Sequence, residues 1–384
     1  MIEKDIRSAV EQFEAMLREQ YDRNERMKES AANAVPLADK GKIVIGMTPG
    51  DGIGPVIMDE TKKVLETLLA DKLASGRLEL KTIDGFTIER RLETGETVPA
   101  DVMDEMKKCD VLLKGPTTTP NAAMDGKNLE SANVFLRKSF DLYANVRPVK
   151  VENEGIDWTF FRENTEGEYA LGSRGVRVGD AFSMDFKVTT AEGTRRIAKK
   201  AFDFARDNGK KRVSIVTKAN IMKKTDGDFQ SICLDVAKDY PEIEADCWFV
   251  DIMAANLVNK DIRSGFEVFV LPNLYGDIIT DEAAQIQGGV GTAGSANIGT
   301  EYAIFEAIHG SAPRMVEEGI ADRANPASLM TAAVMLLRHI GCIEEGDRLE
   351  KAVLAADEKL GARMTGLADG GTCSEFADEV RAGL

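Results

Sequence analysis

The sequence predicts an α/β protein in which helices cover a β-sheet. Strand-like apolar runs alternate with helical patterns along the chain after residue 41. At 384 residues, the chain is long enough for two domains or for one domain with a large insertion. Hydrophobic residues make up 43% and charged residues 30% of the chain, which is typical of an ordinary globular protein with a sizeable core.

Charge and residue counts exclude several function classes. The formal net charge of -16 argues against nucleic acid or an anionic membrane as the partner. The 5 cysteines form no CxxC pair, so we expect reduced thiols in a cytoplasmic protein. With only 2 histidines, a histidine-rich zinc or iron centre is not expected. No apolar run approaches the roughly 20 residues that span a bilayer, and Glu3 and Asp5 stand where a targeting peptide would be basic.

Residues 1–30 predict an amphipathic helix. Ile6, Val10, Phe13, Met16, Leu17 and Tyr21 recur at helical spacing with charged residues between them. This apolar stripe needs a partner, and its own subunit or a neighbouring one would serve equally. The following stretch, 31–40, predicts a linker.

The main fold begins with a predicted buried strand at 42–47. The glycine-rich turn Gly50-Asp-Gly-Ile-Gly54 follows it and leads into a helical pattern that continues through Leu69. Such turns bring backbone N–H groups close to phosphate, but this spacing is not the GxGxxG of a dinucleotide-binding unit. A plain strand–turn–helix is therefore the alternative.

Later segments continue the alternation. Strands are predicted at 78–83, 110–114, 157–162, 184–190, 212–217, 244–250 and 267–271, with helices at 100–107 and 194–207. A Gly/Ala/Ser-rich loop is predicted at 288–299, followed by three helical patterns. The chain contains no internal repeat.

Three arginines suggest a site for an anion in this acidic chain. Arg137 lies on a predicted short helix, and Arg147 and Arg162 lie at the ends of two strand-like runs. If these elements meet, three planar guanidinium groups converge in a geometry that holds carboxylates. Three separate salt bridges are the alternative.

Three aspartates predict a site for Mg²⁺ or Mn²⁺. Asp277 and Asp281 are four residues apart on a predicted helix, so their carboxylates share a face and repel unless a cation lies near them. Asp251 ends another predicted strand. Oxygen ligands without histidine suit these hard cations. Alternatively, Asp277 only complements the helix dipole in the first turn.

These residues lie in motifs that resemble the isocitrate/isopropylmalate family of metal-dependent β-decarboxylating dehydrogenases. The matching segments are GDGIGP at 50–55, LRKSFDLYANVRP at 136–148, RENTEGEY at 162–169, TKANIMKKTDGDF at 217–229, NLYGDIITDEA at 273–283, GSANIG at 294–299 and HGSAP at 309–313. The resemblance extends over nearly all of the chain from about Lys42 onward, and residues 1–40 lie outside it.

The resemblance implies an isopropylmalate-dehydrogenase-like fold of two α/β domains. Residues 41–142 plus 288–384 would form the large cofactor-binding domain, preceded by the helix and linker of 1–40. Residues 143–287 would form the smaller domain, which binds substrate and metal and carries the dimer interface. In this family Lys218 and Asp251 reach across that interface, which implies a homodimer or higher homo-oligomer with composite active sites.

The resemblance also implies the reaction, oxidative decarboxylation of isocitrate to 2-oxoglutarate and CO₂, a step of the tricarboxylic acid cycle. Isocitrate is favoured because Ser131 and Asn133 stand where isopropylmalate enzymes carry apolar residues, and homoisocitrate is the closest competitor. Lys218 would assist removal of the hydroxyl proton, and Tyr169 would protonate the enol carbon. The substrate-binding residues implied are Ser131, Asn133, Arg137, Arg147, Arg162 and Asn220, and the metal ligands are Asp251, Asp277 and Asp281.

The implied cofactor is NAD, with NADP as the alternative. Family NAD enzymes usually carry aspartate after the HGSAP motif and NADP enzymes a cation followed by tyrosine or histidine, whereas this chain has Arg314 and Met315. The short glycine-rich loop at 365–372 is similar to that of NAD enzymes. The cofactor-binding residues implied are Lys114, Thr119, Asn297, His309, Gly310, Ser311, Ala312, Arg314 and Asn325.

Homoisocitrate or 3-isopropylmalate dehydrogenase activity is one alternative. Two hypotheses from other function classes also remain. A non-catalytic regulatory subunit would have lost catalytic residues, whereas Tyr169, Lys218 and the three aspartates are present. A generic anion-binding α/β module would bind its ligand without a divalent metal. Metal-dependent cofactor reduction by the purified chain distinguishes these readings from the enzyme.

Overall fold

The computed structural model describes residues 2–30, 37, 40–119, 129–172, 174–289 and 293–384. Of the predicted linker, only residues 37 and 40 fall within this part. The strands are β1 Ile43–Thr48, β2 Leu78–Thr82, β3 Val111–Lys114, β4 Ala144–Val151, β5 Ile156–Glu163, β6 Val176–Val178, β7 Phe182–Met184, β8 Arg212–Thr217, β9 Glu244–Phe249, β10 Val268–Leu271, β11 Gly294–Ile298 and β12 Ala303–Ala307.

The α-helices are distributed between and after these strands. They are α1 Ile2–Ser30, α2 Gly54–Leu68, α3 Ala70–Ala74, α4 Ile88–Thr94, α5 Ala100–Lys107, α6 Ala132–Ser139, α7 Ala191–Asp207, α8 Thr225–Ala237, α9 Val250–Val258, α10 Asn273–Gln287, α11 Pro313–Glu317, α12 Ala327–His339, α13 Ile343–Leu360 and α14 Cys373–Ala382. The α/β class predicted from the alternation is confirmed.

The chain folds into two compact units. One comprises Met1–Ala34 with Tyr143–Ile286, and the other comprises Val35–Leu142 with Gln287–Leu384. We call them the catalytic unit and the nucleotide unit, after the roles proposed below. In the nucleotide unit the strand order is β2-β1-β3-β12-β11, parallel except for β11. In the catalytic unit it is β4-β5-β10-β8-β9, parallel except for β4.

Each sheet is anchored by its own core. In the nucleotide unit, Phe86, Met106, Leu112 and Leu136 are buried together on one side of the strands. In the catalytic unit an aromatic group fills the core, where the rings of Phe160 and Phe269 stack with centroids 4.3 Å apart. The strands that supply these cores are apolar along most of their length, which is typical of parallel sheets that are covered on both faces.

The N-terminal helix α1 forms as predicted and packs within the catalytic unit. Met16 is buried against Ala170, Leu171 and Val176. Met16 belongs to the predicted apolar stripe, whose other side chains are between 41% and 67% exposed. The helix therefore docks through Met16, at one edge of the stripe that the periodicity identified, while most of the stripe stays on the surface.

Two local predictions are wrong. The strand predicted at 184–190 is reduced to β7, which ends at Met184, and an isolated bridge between Gly167 and Val188. The loop predicted at 288–299 contains β11, whose small residues allow helix α12 to approach closely. A Cβ added at Gly294 would lie 2.5 Å from the backbone nitrogen of Ala332. Residues 290–292 of that predicted loop lie outside the described residues.

All 5 cysteines are free, as predicted, and every one except Cys247 is buried. Among the described residues, no helix combines the length and the apolar character needed to cross a bilayer.

The predicted glycine-rich turn joins three loops of the nucleotide unit. The Asp51 carboxylate accepts the N–H groups of Ile88 and Thr118 at 2.6 and 2.7 Å. Burial raises the pKa of Asp51, while these two hydrogen bonds oppose that rise. Gly52 has a φ of +62°, and a Cβ there would lie 1.9 Å from the carbonyl oxygen of Ser311. Glycine is required here for both backbone conformation and space.

We predict that Gly52→Ala destabilises the nucleotide unit by about 2–3 kcal/mol, because it combines left-handed strain with a backbone clash. Thermal unfolding should then begin several degrees lower than in the unmodified protein. Gly227→Ala is the matched control, since Gly227 lies within α8 and an added Cβ meets nothing within 4 Å. Its Tm should be unchanged or slightly higher. Equal Tm values for both variants would contradict this account of the turn.

Candidate active site

The carboxyl ends of the parallel strands carry the predicted functional residues in both units. In the catalytic unit, the predicted residues Arg162 and Lys218 lie at the end of β5 and directly after β8, and Asn273, which was not predicted, follows β10. This edge is where open α/β sheets bind their ligands, because the loops there leave a crevice.

Arg162 is the buried centre of the first cluster. Its side chain is only 1% exposed, and its guanidinium donates to the Asp277 carboxylate. Its Nε and Nη2 atoms donate to Asn273 Oδ1 at 3.1 and 2.7 Å. Gly276 allows α10 to pass the arginine closely, since a Cβ there would lie 2.5 Å from Arg162 Cγ. The guanidinium is therefore fixed on two sides before any ligand binds.

Arg147 joins the same carboxylates from β4. Its Nη1 donates to Thr280 Oγ1 at 2.6 Å and to Asp281 Oδ1 at 2.8 Å, and its Nη2 lies 3.9 Å from Asp277 Oδ1. Two of the three predicted arginines thus meet the two aspartates of α10. Arg147 lies within β4, not at its end as predicted, and it reaches the site because its side chain points towards α10.

Tyr169 completes this cluster. Its hydroxyl donates to Asp277 Oδ2 at 2.9 Å, and the Arg162 guanidinium lies 5.4 Å from the centre of its ring. A cation over the ring face is favourable and helps fix the phenol. The segment 162–169 therefore places both the Arg162 guanidinium and the Tyr169 hydroxyl, a proton donor, against the Asp277 carboxylate.

Asp277 and Asp281 have carboxyl groups that remain partly open. Their side chains are 37% and 64% exposed, although both contact arginines. They lie beyond the first turn of α10, which begins at Asn273, so the helix-dipole alternative does not explain them. Two open carboxylates on one helix face, with oxygen atoms alone as ligands, fit a hard cation such as Mg²⁺ or Mn²⁺.

Lys218 and Asp251 form a second cluster. They make an ion pair, and hydrogen bonding from Lys218 lowers the pKa of Asp251. Asp251 lies in the first turn of α9, not at the end of the strand as predicted. Across the described residues, no three His, Cys, Asp or Glu side chains gather as one metal-binding group. Assignment of Asp251 to a partner's metal site therefore stays a prediction.

Sequence reasoning missed the support behind Lys218. Asp226 accepts the Lys218 N–H at 2.7 Å, and Lys187 lies 2.6 Å from the other oxygen of Asp226. The Lys187 ammonium also lies 4.2 Å from the centre of the Tyr275 ring. Acidic Asp226, eight residues after Lys218 in a matched motif, was the available signal. Asn220 is exposed in the turn after β8.

The nucleotide unit has a small pocket that contains the third arginine. The carboxylate of Glu306 lies 2.9 Å from Lys114 Nζ and 3.7 Å from Arg137 Nη2, and it accepts from Asn297 Nδ2 at 2.6 Å. Burial acts to raise the pKa of Glu306, but Lys114 and Arg137 outweigh it and lower this pKa to about 2. Glu306 was missed, and its charge within an apolar strand was the available signal.

The two residues proposed to select the substrate lie at the start of α6. Asn133 also lines this pocket, and its Oδ1 accepts from Thr117 at 3.1 Å. Ser131 is the N-cap residue of α6, and its side chain makes no capping hydrogen bond. Both side chains are only partly buried, so they are accessible to a ligand.

The predicted cofactor residues line the loop after β12 and its neighbours. Ser311 Oγ lies 2.7 Å from Thr118 Oγ1. Burial lowers the pKa of His309, whose Nδ1 lies 2.9 Å from the carbonyl oxygen of Gly310. Ala312 has a φ of +46°, which turns the chain into α11. Positive φ is uncommon for alanine and indicates a constrained loop.

The remaining cofactor residues are placed as follows. Arg314 is 82% exposed, and its Nε donates to Glu318 at 2.6 Å. Asn325 Oδ1 accepts the N–H of Ala327 at the start of α12. Thr119 is exposed directly before residues 120–128, which lie outside the described part.

Comparison with known proteins supports the family resemblance that the motifs indicated. The family model described as isocitrate/isopropylmalate dehydrogenase matches residues 44–380. The probable isocitrate dehydrogenase (NAD) subunit alpha, mitochondrial, of Drosophila melanogaster is 36% identical over 368 residues, covering 92% of each chain. The isocitrate dehydrogenase (NADP) of Rickettsia prowazekii (strain Madrid E) is 38% identical over 313 residues, covering 79% of this chain and 61% of the relative.

A solved structure agrees with both comparisons. The crystal structure of isocitrate dehydrogenase from Methylococcus capsulatus superposes with a TM-score of 0.77 and 35% identity, covering 89% of this chain and 99% of that one. The resemblance inferred from the motifs is thereby confirmed. From this match across most of its length, the chain belongs to the isocitrate/isopropylmalate dehydrogenase family.

Proposed function

We propose that this chain is an isocitrate dehydrogenase that oxidatively decarboxylates isocitrate to 2-oxoglutarate and CO₂ with NAD(P) and Mg²⁺ or Mn²⁺. The observation that carries the proposal is the cluster of Arg147, Arg162 and Tyr169 around the open carboxylates of Asp277 and Asp281. The names of the relatives support isocitrate as the substrate.

The side chains of the site would bind both a divalent cation and a nicotinamide cofactor. Asp277 and Asp281 would hold the divalent cation together with Asp251 from a second copy of the chain, and the loop containing His309, Gly310, Ser311 and Ala312 would hold the nicotinamide cofactor. When bound, the cation supplies Lewis-acid polarisation and the cofactor supplies the oxidant.

The chain's own side chains bind the substrate and move its protons. Arg147 and Arg162 bind substrate carboxylates through guanidinium groups that are already ordered, so little side-chain entropy is lost on binding. Lys218 assists removal of the C2 hydroxyl proton, and Tyr169 donates a proton to the enol carbon after CO₂ departs. Ser131, Asn133 and Arg137 bind the carboxylate at C3, and Asn220 orients the substrate or nicotinamide.

The geometry of Lys218 supports a homodimer with composite sites. Lys218, which follows β8, and Asp251, in the first turn of α9 after β9, pair with each other at one edge of the catalytic unit's sheet, and not with Asp277 or Asp281. This arrangement fits two residues that serve the site of a partner copy. A cytoplasmic location is part of the same proposal.

NAD is the proposed preferred cofactor. The positive charge of Arg314, the one cation at the start of α11 that could meet a 2′-phosphate, is compensated by Glu318 one turn later. The loop at 365–372 also lacks tyrosine and arginine. Both observations favour a cofactor without the additional phosphate.

We predict that Lys218→Met lowers kcat by about 10²–10⁴-fold, because the proton acceptor is lost. The Mn²⁺ concentration for half-maximal activity should change by no more than about fivefold, since the exposed pair with Asp251 contributes little. Lys199→Met, at an exposed position of α7, is the matched control and should keep normal kcat. Normal turnover in Lys218→Met would remove the proposed role.

We predict that Asn133→Leu lowers kcat/KM for isocitrate by about 10²-fold, because an apolar side chain leaves the C3 carboxylate unpaired. The ratio of isopropylmalate to isocitrate activity should rise. A panel of isocitrate, homoisocitrate, isopropylmalate and malate measures both effects, with Asn208→Leu at the end of α7 as control. If the unmodified chain prefers homoisocitrate or isopropylmalate, isocitrate is not the substrate.

We predict that the unmodified enzyme has a higher kcat/KM with NAD than with NADP. Glu318→Gln should raise kcat/KM for NADP by about fivefold, because it releases Arg314 to pair with a 2′-phosphate, while the value for NAD changes little. A large advantage for NADP in the unmodified enzyme would overturn the cofactor proposal.

A further inference from the structure

The helix α1 lies outside the residues that match the family, yet it contacts the segment around Tyr169. Family similarity begins at residue 44, whereas α1 ends at Ser30. Glu19 forms an ion pair with Arg174 at 2.6 Å, and Phe13 stacks on Phe186 with centroids 5.1 Å apart. These contacts hold the helix against the chain that follows the catalytic tyrosine.

Arg23 of α1 reaches further, into the loop between Arg162 and Tyr169. Its Nη1 donates to Glu166 Oε1, and its Nη2 donates to Thr165 Oγ1, both at 2.8 Å. The Arg23 side chain is 20% exposed and that of Glu166 only 3%. A planar guanidinium that binds two neighbouring residues of one loop restrains their relative position.

This loop contains two buried acids. The carboxylate of Glu163 accepts the N–H groups of Thr165 and Glu166 and the hydroxyl of Thr165, and that of Glu166 accepts from Thr190 at the start of α7. Burial and the nearby Glu166 raise the pKa of Glu163 to about 7, and Arg23 opposes this rise. Arg196 of α7 also reaches Thr165, at 3.3 Å.

A chain of hydrogen bonds connects Arg23 with the predicted substrate-binding arginine. Glu166, which Arg23 holds by its side chain, accepts from Asn273 Nδ2 through its backbone carbonyl at 2.9 Å. The Oδ1 atom of Asn273 accepts from Arg162. Only Glu166 and Asn273 therefore lie between Arg23 and the Arg162 guanidinium.

We propose that Arg23 is a positioning residue, which fixes the 162–169 loop through Thr165 and Glu166 and so orients Arg162 and Tyr169 for the reaction. The helix α1 then helps to support the active site, although it lies outside the residues that match the family. This inference rests on the proposed function, because isocitrate turnover is one of its readouts.

The test compares Arg23→Ala, Arg23→Lys and Arg18→Ala in the full chain. Arg18 is the matched control, since it lies on the same helix, is 75% exposed and pairs only locally with Glu14. For each variant, kcat and KM for isocitrate are measured between pH 6 and pH 8.5, together with Tm. Hydrogen exchange of the peptide covering 163–169 reports the order of the loop without any substrate.

Arg23→Ala should lower kcat/KM about tenfold at pH 8, with faster exchange in the loop. The defect should shrink towards pH 6, because Glu163, whose pKa burial and the nearby Glu166 raise, binds a proton there and loses the repulsion that Arg23 normally compensates. Arg23→Lys should recover part of the activity, and Arg18→Ala should match the unmodified protein.

Unchanged exchange and unchanged kcat/KM in Arg23→Ala would overturn the inference, and so would a lower Tm as the only effect. If the unmodified protein does not turn over isocitrate, the proposed function fails. The exchange measurement would still decide whether Arg23 orders the loop.

Discussion

The pairing of Arg162 with Asp277 is the interaction on which the catalytic unit's site depends. A guanidinium that is 1% exposed needs hydrogen-bond acceptors around it, because desolvating an unpaired ion costs several kcal/mol. Asp277 and Asn273 supply those acceptors from the start of α10. The same contacts fix the orientation in which the arginine meets a substrate, so stability and binding share one set of atoms.

A similar constraint holds in the nucleotide unit. Lys114 is 2% exposed, and Glu306 from the neighbouring strand β12 compensates its charge and that of Arg137. One buried carboxylate thus keeps two cations in a pocket that also contains Asn133. In each unit a buried cation, Arg162 or Lys114, lies at the carboxyl end of a parallel strand, the edge at which open α/β sheets bind their ligands.

Sequence patterns predicted much of this fold because the parallel strands are continuously apolar and most of the helices are amphipathic. They failed where packing overrides composition. The small residues of β11 suggested a loop, yet they are small because α12 lies against them. The segment after Met184 suggested a strand, yet Lys187 leaves that pattern to pair with Asp226 inside the unit. Neither contact follows from the local alternation of apolar and polar residues.

The sequence by itself determined the α/β class, the family and the residue types of the site, because these are carried by periodicity and by motifs that keep their order along the chain. Tertiary structure alone decided which charges meet. Arg147 and Arg162 are 15 positions apart and converge on aspartates more than 100 residues later because β4 and β5 pair beside β10. Glu306 and Asp226 were missed although each had a signal in the sequence, whereas the contact from Arg23 to Glu166 had none. Ion pairs between distant segments depend on the distance between side chains in the folded chain, and residue spacing along the sequence does not encode that distance.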